Sequence, residues 1–266
     1  MAHGKYIALL DSDDIWMKNK LALQIACMEN KPDIAFCCTN FYDFDDEGII
    51  KGQNQESWEA YKIYGLTLDN IFPKKQPLSD IVRYDLQNQQ NTDFYSGRIF
   101  EKFLWGPLLN ESSPLLKKEI ALETIPHMEG FNYLHGYYLF TFISMYHPVG
   151  FIDLPLCGRR CNIEEKEGQA AQLTTAKHQI GIRKEYLKLI EFFWKNEKNF
   201  YSKYKKDVDG RLSYINADLA AYYLQQNYPL ESVKHYMSSL RLCPTHKRLY
   251  YNLLCAVLTF IFKNKR

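Results

Sequence analysis

The sequence lacks the features that would place it in a membrane or on a secretory route. No apolar run reaches the roughly 18 residues that a spanning helix needs, and no apolar segment follows residues 1–5 as in a cleaved signal peptide. The seven cysteines are an odd number and are scattered, which is typical of free thiols and argues against a disulfide framework. We therefore expect a cytoplasmic protein, with peripheral contact at the cytoplasmic face of a membrane left open.

Net charge is also nearly absent, at +2, but the charges are unevenly divided. Residues 177–266 carry 17 Lys and Arg against 7 Asp and Glu, whereas residues 1–176 carry 16 against 24. The basic part fits either a solvated Lys-rich helical face or a segment that rests on an anionic membrane or polymer. It has no Arg-rich reading element and no known nucleic-acid-binding module, so we expect no nucleic-acid partner.

Aromatic residues, by contrast, are abundant and exclude intrinsic disorder. The first part of the chain reads as mixed α/β. A short apolar run at residues 6–10 ends at an acidic turn, and a second apolar run spans residues 34–41. Between them, a helical stripe is formed by Leu21, Ile25 and Met28. The order strand, acidic turn, helix, strand predicts a βαβ unit.

The remainder of the α/β region is less regular. Residues 45–100 are polar, which predicts a long excursion with short helices that lines a substrate cleft. Residues 137–146 predict an apolar helix and residues 149–154 a short strand.

From residue 171 onward only helical patterns occur, so we divide the chain into regions 1–170 and 171–266. Residues 219–244 resemble one tetratricopeptide hairpin, which cannot bury its own apolar face and must pack on a neighbour. The last helix, at residues 249–262, is too short to span a bilayer. It either lies in a membrane interface or caps the helical region.

The sharpest candidate for chemistry is the acidic turn Asp11-Ser12-Asp13-Asp14 at the end of the first predicted strand. Carboxylates there lie just beyond the carboxyl edge of a sheet, where open α/β folds bind ligands. The Asp-x-Asp (DXD) spacing lets Asp11 and Asp13 converge on a hard divalent cation, with water and phosphate oxygens completing its shell. The alternative is an acidic surface turn without a ligand.

The segment around this turn, residues 4–24, resembles the metal-binding segment of family 2 glycosyltransferases, which have the GT-A fold. Later segments follow in the order of that family: residues 33–41, Ser112-Ser113 before Lys117-Lys118, Gly130-Phe131, and residues 149–156 followed by Arg160. The resemblance implies that residues 1–170 form the C-terminal part of a GT-A (Rossmann-like) nucleotide-diphospho-sugar transferase domain. An all-helical basic region follows it.

What the resemblance implies is inverting transfer of a sugar from a nucleotide-diphosphate donor to a glycan or lipid-linked acceptor, in surface polysaccharide or lipopolysaccharide synthesis. Asp11 and Asp13 match the family's ligands for Mn²⁺ or Mg²⁺, and Asp13 is the expected direct ligand. Asp14 matches a position that orients the donor. Arg160 matches a basic position that contacts the diphosphate or the acceptor.

Two departures from the family leave an alternative open. The family has a further segment before the acidic turn, with a carboxylate that reads the nucleotide base, so this chain is expected to be a truncated form. The family also uses an acidic pair to remove the acceptor proton. This chain lacks that pair, since no carboxylate lies between Glu129 and Asp153. His135 is the candidate catalytic base, and Glu129 is a weaker one. The alternative is a catalytically inactive fragment or partner subunit that acts as a binding or scaffolding protein.

Overall fold

The structure, a computed structural model, describes residues 3–50, 54–82, 92–161 and 176–263. The chain divides into two compact units, Met1–Gly130 with His135–Ile163 and Phe131–Leu134 with Glu164–Arg266. We call the first the sheet unit and the second the helical unit.

Across the described residues, eight strands form one mixed sheet. They are β1 Tyr6–Ala8, β2 Ile15–Trp16, β3 Phe36–Asp45, β4 Gly48–Ile50, β5 Lys74–Pro77, β6 Asp93–Gly97, β7 Leu115–Lys117 and β8 Val149–Arg160. The main order is β1-β7-β3-β8-β6-β5, with β2 on β8 and β4 on β3. Strands β3 and β8 run parallel at its centre. The carboxyl ends of both therefore lie at one edge of the sheet.

The helices of the sheet unit are α1 Lys20–Asn30, α2 Glu59–Tyr64, α3 Leu68–Ile71, α4 Lys118–Thr124 and α5 His135–Tyr146. With the central sheet they confirm the predicted α/β class. The order β1-α1-β3 also matches the predicted strand-helix-strand unit, although β7 lies between the two strands and pairs antiparallel with both.

Helix α1 occurs where it was predicted, but only Met28 of the predicted stripe lies on its buried face. Leu21 and Ile25 are exposed, while Leu23 and Cys27 are completely buried. The polar residues Lys20 and Gln24 occupy the same buried face. Because Lys20 and Gln24 read as polar in the sequence, the predicted stripe missed most of the buried face.

The polar stretch at residues 45–100 contributes strands as well as the predicted short helices. Strands β5 and β6 form an antiparallel pair at the sheet edge, from Lys74↔Ser96 to Pro77↔Asp93. Lysines and proline are common on edge strands because they discourage pairing with other chains. Strand β5 therefore carries no apolar alternation that would reveal it. Strand β8 likewise continues to Arg160, beyond the predicted residue 154.

The helical unit contains α6 Ala176–Ile190, a π-helical turn at Glu191–Lys195, α7 Lys198–Gln225, α8 Pro229–Leu242 and α9 Lys247–Lys263. A buried cluster joins α7, α8 and α9 through Ala220, Tyr236, Leu249 and Ala256. No helix in the described ranges combines the length and apolarity needed to cross a membrane.

The buried face of α8 is formed partly by serine. Leu230 and Met237 are exposed, whereas Ser232 and Ser239 are fully buried. Ser239 and Ser213 of α7 exchange hydrogen bonds, with each hydroxyl donating to the other residue's carbonyl at 2.8 and 3.0 Å. Small side chains let the two helix backbones approach closely, so serine replaces the larger apolar residues at this contact.

Candidate functional site

The acidic turn is held in place by one serine that is distant in sequence. The Ser112 hydroxyl accepts a hydrogen bond from the Asp11 backbone N–H at 3.0 Å, and the Ser112 carbonyl accepts one from Trp16 Nε1 at 2.8 Å. Within the turn, the Asp14 N–H donates to the Asp11 carbonyl at 3.2 Å. The turn is therefore fixed at both ends before any ligand binds.

Asp14 anchors the turn to the end of β8. Its Oδ1 accepts the backbone N–H of Arg160 at 3.0 Å. Burial raises the pKa of this carboxyl, and hydrogen bonds from the Ser112 hydroxyl and the Arg160 N–H act in the opposite direction. The structure thus gives Asp14 a positioning role, and its contact with a donor stays a prediction.

Asp11 and Asp13 are the two carboxylates of the turn that face solvent. Neither side chain hydrogen-bonds another described residue, so both retain their oxygen lone pairs for a ligand. In the part of the chain that the structure describes, no three acidic, imidazole or thiol side chains converge as a complete metal site. Two free carboxylates still fit Mg²⁺ or Mn²⁺, which keep several waters and bind substrate phosphates.

Arg160 reaches this edge of the sheet through its backbone, while its guanidinium is engaged elsewhere. Arg160 Nη1 pairs with Asp46 Oδ1 at 2.5 Å, and Asp46 is 89% exposed. The guanidinium also lies over the Phe44 ring at 4.8 Å. An ion pair with so exposed a carboxylate contributes at most about 1 kcal/mol. An anionic phosphate can therefore compete for this guanidinium, and donor binding by Arg160 stays a prediction.

His135 is the first residue of α5 and is exposed. Its imidazole has no hydrogen-bond partner among the described residues, so no second group orients it. The structure leaves its predicted role as a base untested.

Residues 110–113, which we call the serine loop, were not recognised as part of the site from the sequence. Asn110 shapes this loop, since its Oδ1 accepts the Ser112 N–H at 2.8 Å and its carbonyl accepts the Ser113 hydroxyl at 2.8 Å. Asn110, Ser112 and Ser113 are buried. The segment had been noted only as a match to the family, and the hydrogen bonds to the acidic turn span about a hundred residues of sequence.

Glu111 is the other site residue that sequence reasoning missed. A Cβ atom built on Gly136 would lie within 2.6 Å of Glu111 Oε2, and nearer still to the other carboxyl atoms. Burial, with a smaller contribution from the charge of Asp11, raises the pKa of Glu111 to about 7. The only sequence signal for this arrangement is the missing side chain at Gly136.

Beneath the turn lies a fully buried lysine. Lys20 Nζ donates to Gln24 Oε1 at 2.9 Å and sits 4.3 Å from the centre of the Trp16 ring. Gln24 Nε2 in turn donates to the carbonyls of Cys37 and Ser113. Desolvation lowers the pKa of Lys20 to about 8, and the nearby thiols of Cys157, Cys38 and Cys37 act weakly in the opposite direction.

Lys20 predicts a stability that rises with pH. Its folded pKa of about 8 lies below the ordinary 10.5, so between these values the unfolded state binds more protons. The unfolding free energy of the wild type, relative to Lys20→Met, should therefore increase by roughly 2–3 kcal/mol from pH 8 to pH 10.5. Urea titrations across this range measure the difference. Lys18→Met, at an exposed lysine, is the control, and a flat difference for Lys20 would contradict the prediction.

Comparison with known proteins bears on the first part of the chain. Residues 1–84 match the sequence model of glycosyl transferase family 2. An uncharacterized glycosyltransferase of Rickettsia bellii is 39% identical over 72 residues, which are 27% of this chain and 9% of that protein. An uncharacterized glycosyltransferase of Methanocaldococcus jannaschii is 32% identical over 121 residues, 39% of this chain and 42% of that protein.

A third relative has a named activity. It is the UDP-Glc:alpha-D-GlcNAc-diphosphoundecaprenol beta-1,3-glucosyltransferase of Escherichia coli, 45% identical over 49 residues, 18% of this chain and 19% of that protein. The chain therefore spans less than half the length of each of these relatives. The resemblance to family 2 glycosyltransferases is confirmed, and the matched residues 1–84 contain the acidic turn.

Proposed function

We propose that this chain, with its family 2 glycosyltransferase sequence, transfers a sugar from a nucleotide-diphosphate donor to a hydroxyl of a glycan or lipid-linked acceptor, with inversion. The observation that carries the proposal is the pair of free carboxylates, Asp11 and Asp13, on a turn that is already fixed by Ser112. The named activity of the Escherichia coli relative, which uses UDP-glucose and a lipid-linked acceptor, supports a role in surface polysaccharide or lipopolysaccharide synthesis.

In this proposal Asp11 and Asp13 would hold Mn²⁺ or Mg²⁺. A bound divalent cation supplies positive charge where the leaving nucleoside diphosphate becomes more negative. Asp14 keeps the turn against the end of β8 through the Arg160 N–H. The Arg160 guanidinium exchanges its exposed partner Asp46 for the diphosphate. Asp14 thus holds the turn in place, and the other three residues bind the metal and the donor.

The proposal is tested by titration calorimetry of UDP, GDP and dTDP into the purified chain, with Mn²⁺, with Mg²⁺ and with neither. We expect one nucleotide to bind only when metal is present. Sugar transfer from the corresponding donor would then be assayed. Absence of binding for all three nucleotides under every condition would contradict the proposal.

A second candidate function is binding without catalysis, as an inactive fragment or a partner subunit. The observation that favours it is the start of α5, where His135 and Gly136 provide no carboxylate. This candidate predicts metal-dependent nucleotide binding with no release of UDP from UDP-glucose in the presence or absence of an acceptor. Measurable turnover would exclude it.

We also propose that α9 makes peripheral contact with an anionic membrane. Its exposed large side chains are Tyr250, Tyr251, Leu254, Leu258, Ile261 and Phe262. Such a face, in a basic part of the chain, suits the boundary between lipid headgroups and acyl chains.

Vesicle flotation tests this contact. The wild type should float with vesicles that contain anionic lipid and remain unbound with neutral ones. The double variant Leu254→Asp, Leu258→Asp should lose flotation because it places charge on the apolar face. Ile63→Asp, at a residue of the sheet unit that is equally exposed, is the matched control. Equal flotation of wild type and double variant would exclude α9 as the contact.

A further inference from the structure

Glu111 is held by the backbone on both sides. Its neighbours Asn110 and Ser112 are buried and joined by the hydrogen bond from the Ser112 N–H to Asn110 Oδ1. Ser112 is fixed in turn to the acidic turn through Asp11 and Trp16. The position of Glu111 is therefore set by the same contacts that set the candidate metal ligands.

The Glu111 carboxyl group occupies the space that a side chain at position 136 would fill. A Cβ on Gly136 would overlap the carboxyl carbon and both of its oxygens. Gly136 is the second residue of α5, and the N-terminal end of a helix modestly favours a negative charge. Glycine at this position therefore admits a carboxylate from another segment to the start of the helix.

This carboxylate is poorly stabilised as a structural element. It has no hydrogen bond to any residue that the structure describes, and the nearest charge that acts on it, Asp11, has the same sign. The residue as a whole is exposed to solvent, while local burial of the carboxyl group raises its pKa to about 7. An accessible carboxylate without an internal partner is suited to accept a proton from a substrate.

We propose that Glu111 is the general base of this chain, reaching through the gap left by Gly136 to the acceptor hydroxyl beside Asp11. This inference rests on the proposed glycosyl transfer. The Glu111 carboxylate takes the proton of the acceptor hydroxyl, and the hydroxyl oxygen forms the new bond to the anomeric carbon. The bond from that carbon to the phosphate oxygen breaks, and its electron pair leaves with the nucleoside diphosphate.

The rival assignment is His135, which follows from sequence position alone. Its imidazole is exposed and has no orienting partner among the described residues. Glu111 differs because the serine loop fixes its backbone and because its carboxyl is close enough to Asp11 for the two charges to interact. Geometry therefore favours the residue that the family pattern does not mark.

The test compares UDP-glucose turnover with UDP binding, in the presence of Mn²⁺ and an alkyl-linked GlcNAc-diphosphate acceptor. Glu111→Gln keeps the size of the side chain and removes the basic oxygen. We expect its turnover to fall at least roughly 100-fold, with the dissociation constant for UDP unchanged. Glu123→Gln, at an exposed glutamate on α4, is the matched control and should keep the wild-type rate.

A double variant that moves the carboxylate to position 136 distinguishes a catalytic role of Glu111 from a structural one. Glu111→Ala opens the space above Gly136, and Gly136→Asp in the same chain returns a carboxylate to it from the helix. We expect the double variant to recover at least roughly tenfold in turnover over Glu111→Ala alone, a recovery that proton transfer explains. A purely structural role for Glu111 would give no recovery, because the double variant does not rebuild the original side chain.

Thermal unfolding adds a measurement that needs no activity. The folded pKa of Glu111, about 7, lies above the ordinary 4.5, so the folded state binds more protons between these values and loses stability as pH rises through them. The charged group that acts on this carboxyl is Asp11 of the acidic turn. The melting temperature of Glu111→Gln relative to wild type should be higher at pH 8 than at pH 5.

The outcomes are distinct. A wild type that binds none of UDP, GDP and dTDP in the presence of metal overturns the proposed function itself. A wild type that turns over UDP-glucose together with a Glu111→Gln variant of equal rate overturns only the assignment of the base. Loss of turnover in His135→Ala but not in Glu111→Gln assigns the base to His135. Equal melting shifts at pH 5 and pH 8 would show that the fold does not raise the pKa of Glu111.

Discussion

Replacing Asp13 by asparagine is expected to weaken metal-dependent nucleotide binding while leaving the fold intact. Asp13 is exposed, and its side chain makes no hydrogen bond to another described residue, so its removal breaks no internal contact. Asparagine keeps the size of the side chain and removes the charge that a divalent cation requires. We expect at least a tenfold loss of affinity, equivalent to about 1.4 kcal/mol.

Calorimetry with the nucleotide that binds the wild type measures this loss. Asp80→Asn changes an exposed aspartate in another part of the sheet unit and should bind as the wild type does. Asp11→Asn should also weaken binding. A loss of affinity smaller than that of Asp13→Asn would identify Asp13 as the direct ligand. Unchanged, metal-dependent affinity in both Asp11→Asn and Asp13→Asn would remove the turn from the donor site.

Replacing Arg159 by methionine is expected to destabilise the sheet unit by about 3 kcal/mol, because it leaves a buried carboxylate without its ion-pair partner. The Asp43 side chain is only 5% exposed. Arg159 donates two hydrogen bonds to it, from Nε to Oδ1 at 2.7 Å and from Nη2 to Oδ2 at 2.8 Å. The guanidinium also lies 5.0 Å from the centre of the Phe41 ring and 5.5 Å from that of Trp58.

The adjacent arginine provides the control for this experiment. Arg160→Met removes an ion pair with the exposed Asp46 and should cost no more than about 1 kcal/mol. Urea unfolding of both variants compares two neighbouring positions on one strand. Equal losses of unfolding free energy in the two variants would show that the burial of Asp43 does not determine the strength of its ion pair.

The elements that the sequence predicted well have strong local signals. The acidic turn follows a short apolar strand, α1 ends close to Lys31-Pro32, and α5 is an apolar helix that ends before Pro148. Faces and edges were harder to predict. Lys20 and Gln24 in α1, and Ser232 and Ser239 in α8, are polar residues that lie inside. Their burial depends on partners in other elements, which no local pattern contains.

The candidate site likewise contains residues that the sequence predicted and residues that only the fold reveals. Asp11 and Asp13 were identified because their spacing and their place after a strand are visible in the sequence. Ser112 and Glu111 were missed because their roles arise from contacts across about a hundred residues of chain. The sequence showed that no carboxylate lies between Glu129 and Asp153, but only the fold shows that the Glu111 carboxyl group stands at Gly136.

The buried thiols of the sheet unit have a practical consequence. Cys27, Cys37, Cys38 and Cys157 are fully buried, and desolvation raises the pKa of Cys27, Cys38 and Cys157 to about 12. A thiol alkylates as the thiolate, so these four react only when the sheet opens. Cys243 and Cys255 of the helical unit are partly accessible. Alkylation followed over time by peptide mass analysis therefore reports the opening rate of the sheet unit, with the accessible Cys243 and Cys255 as internal references that react without opening.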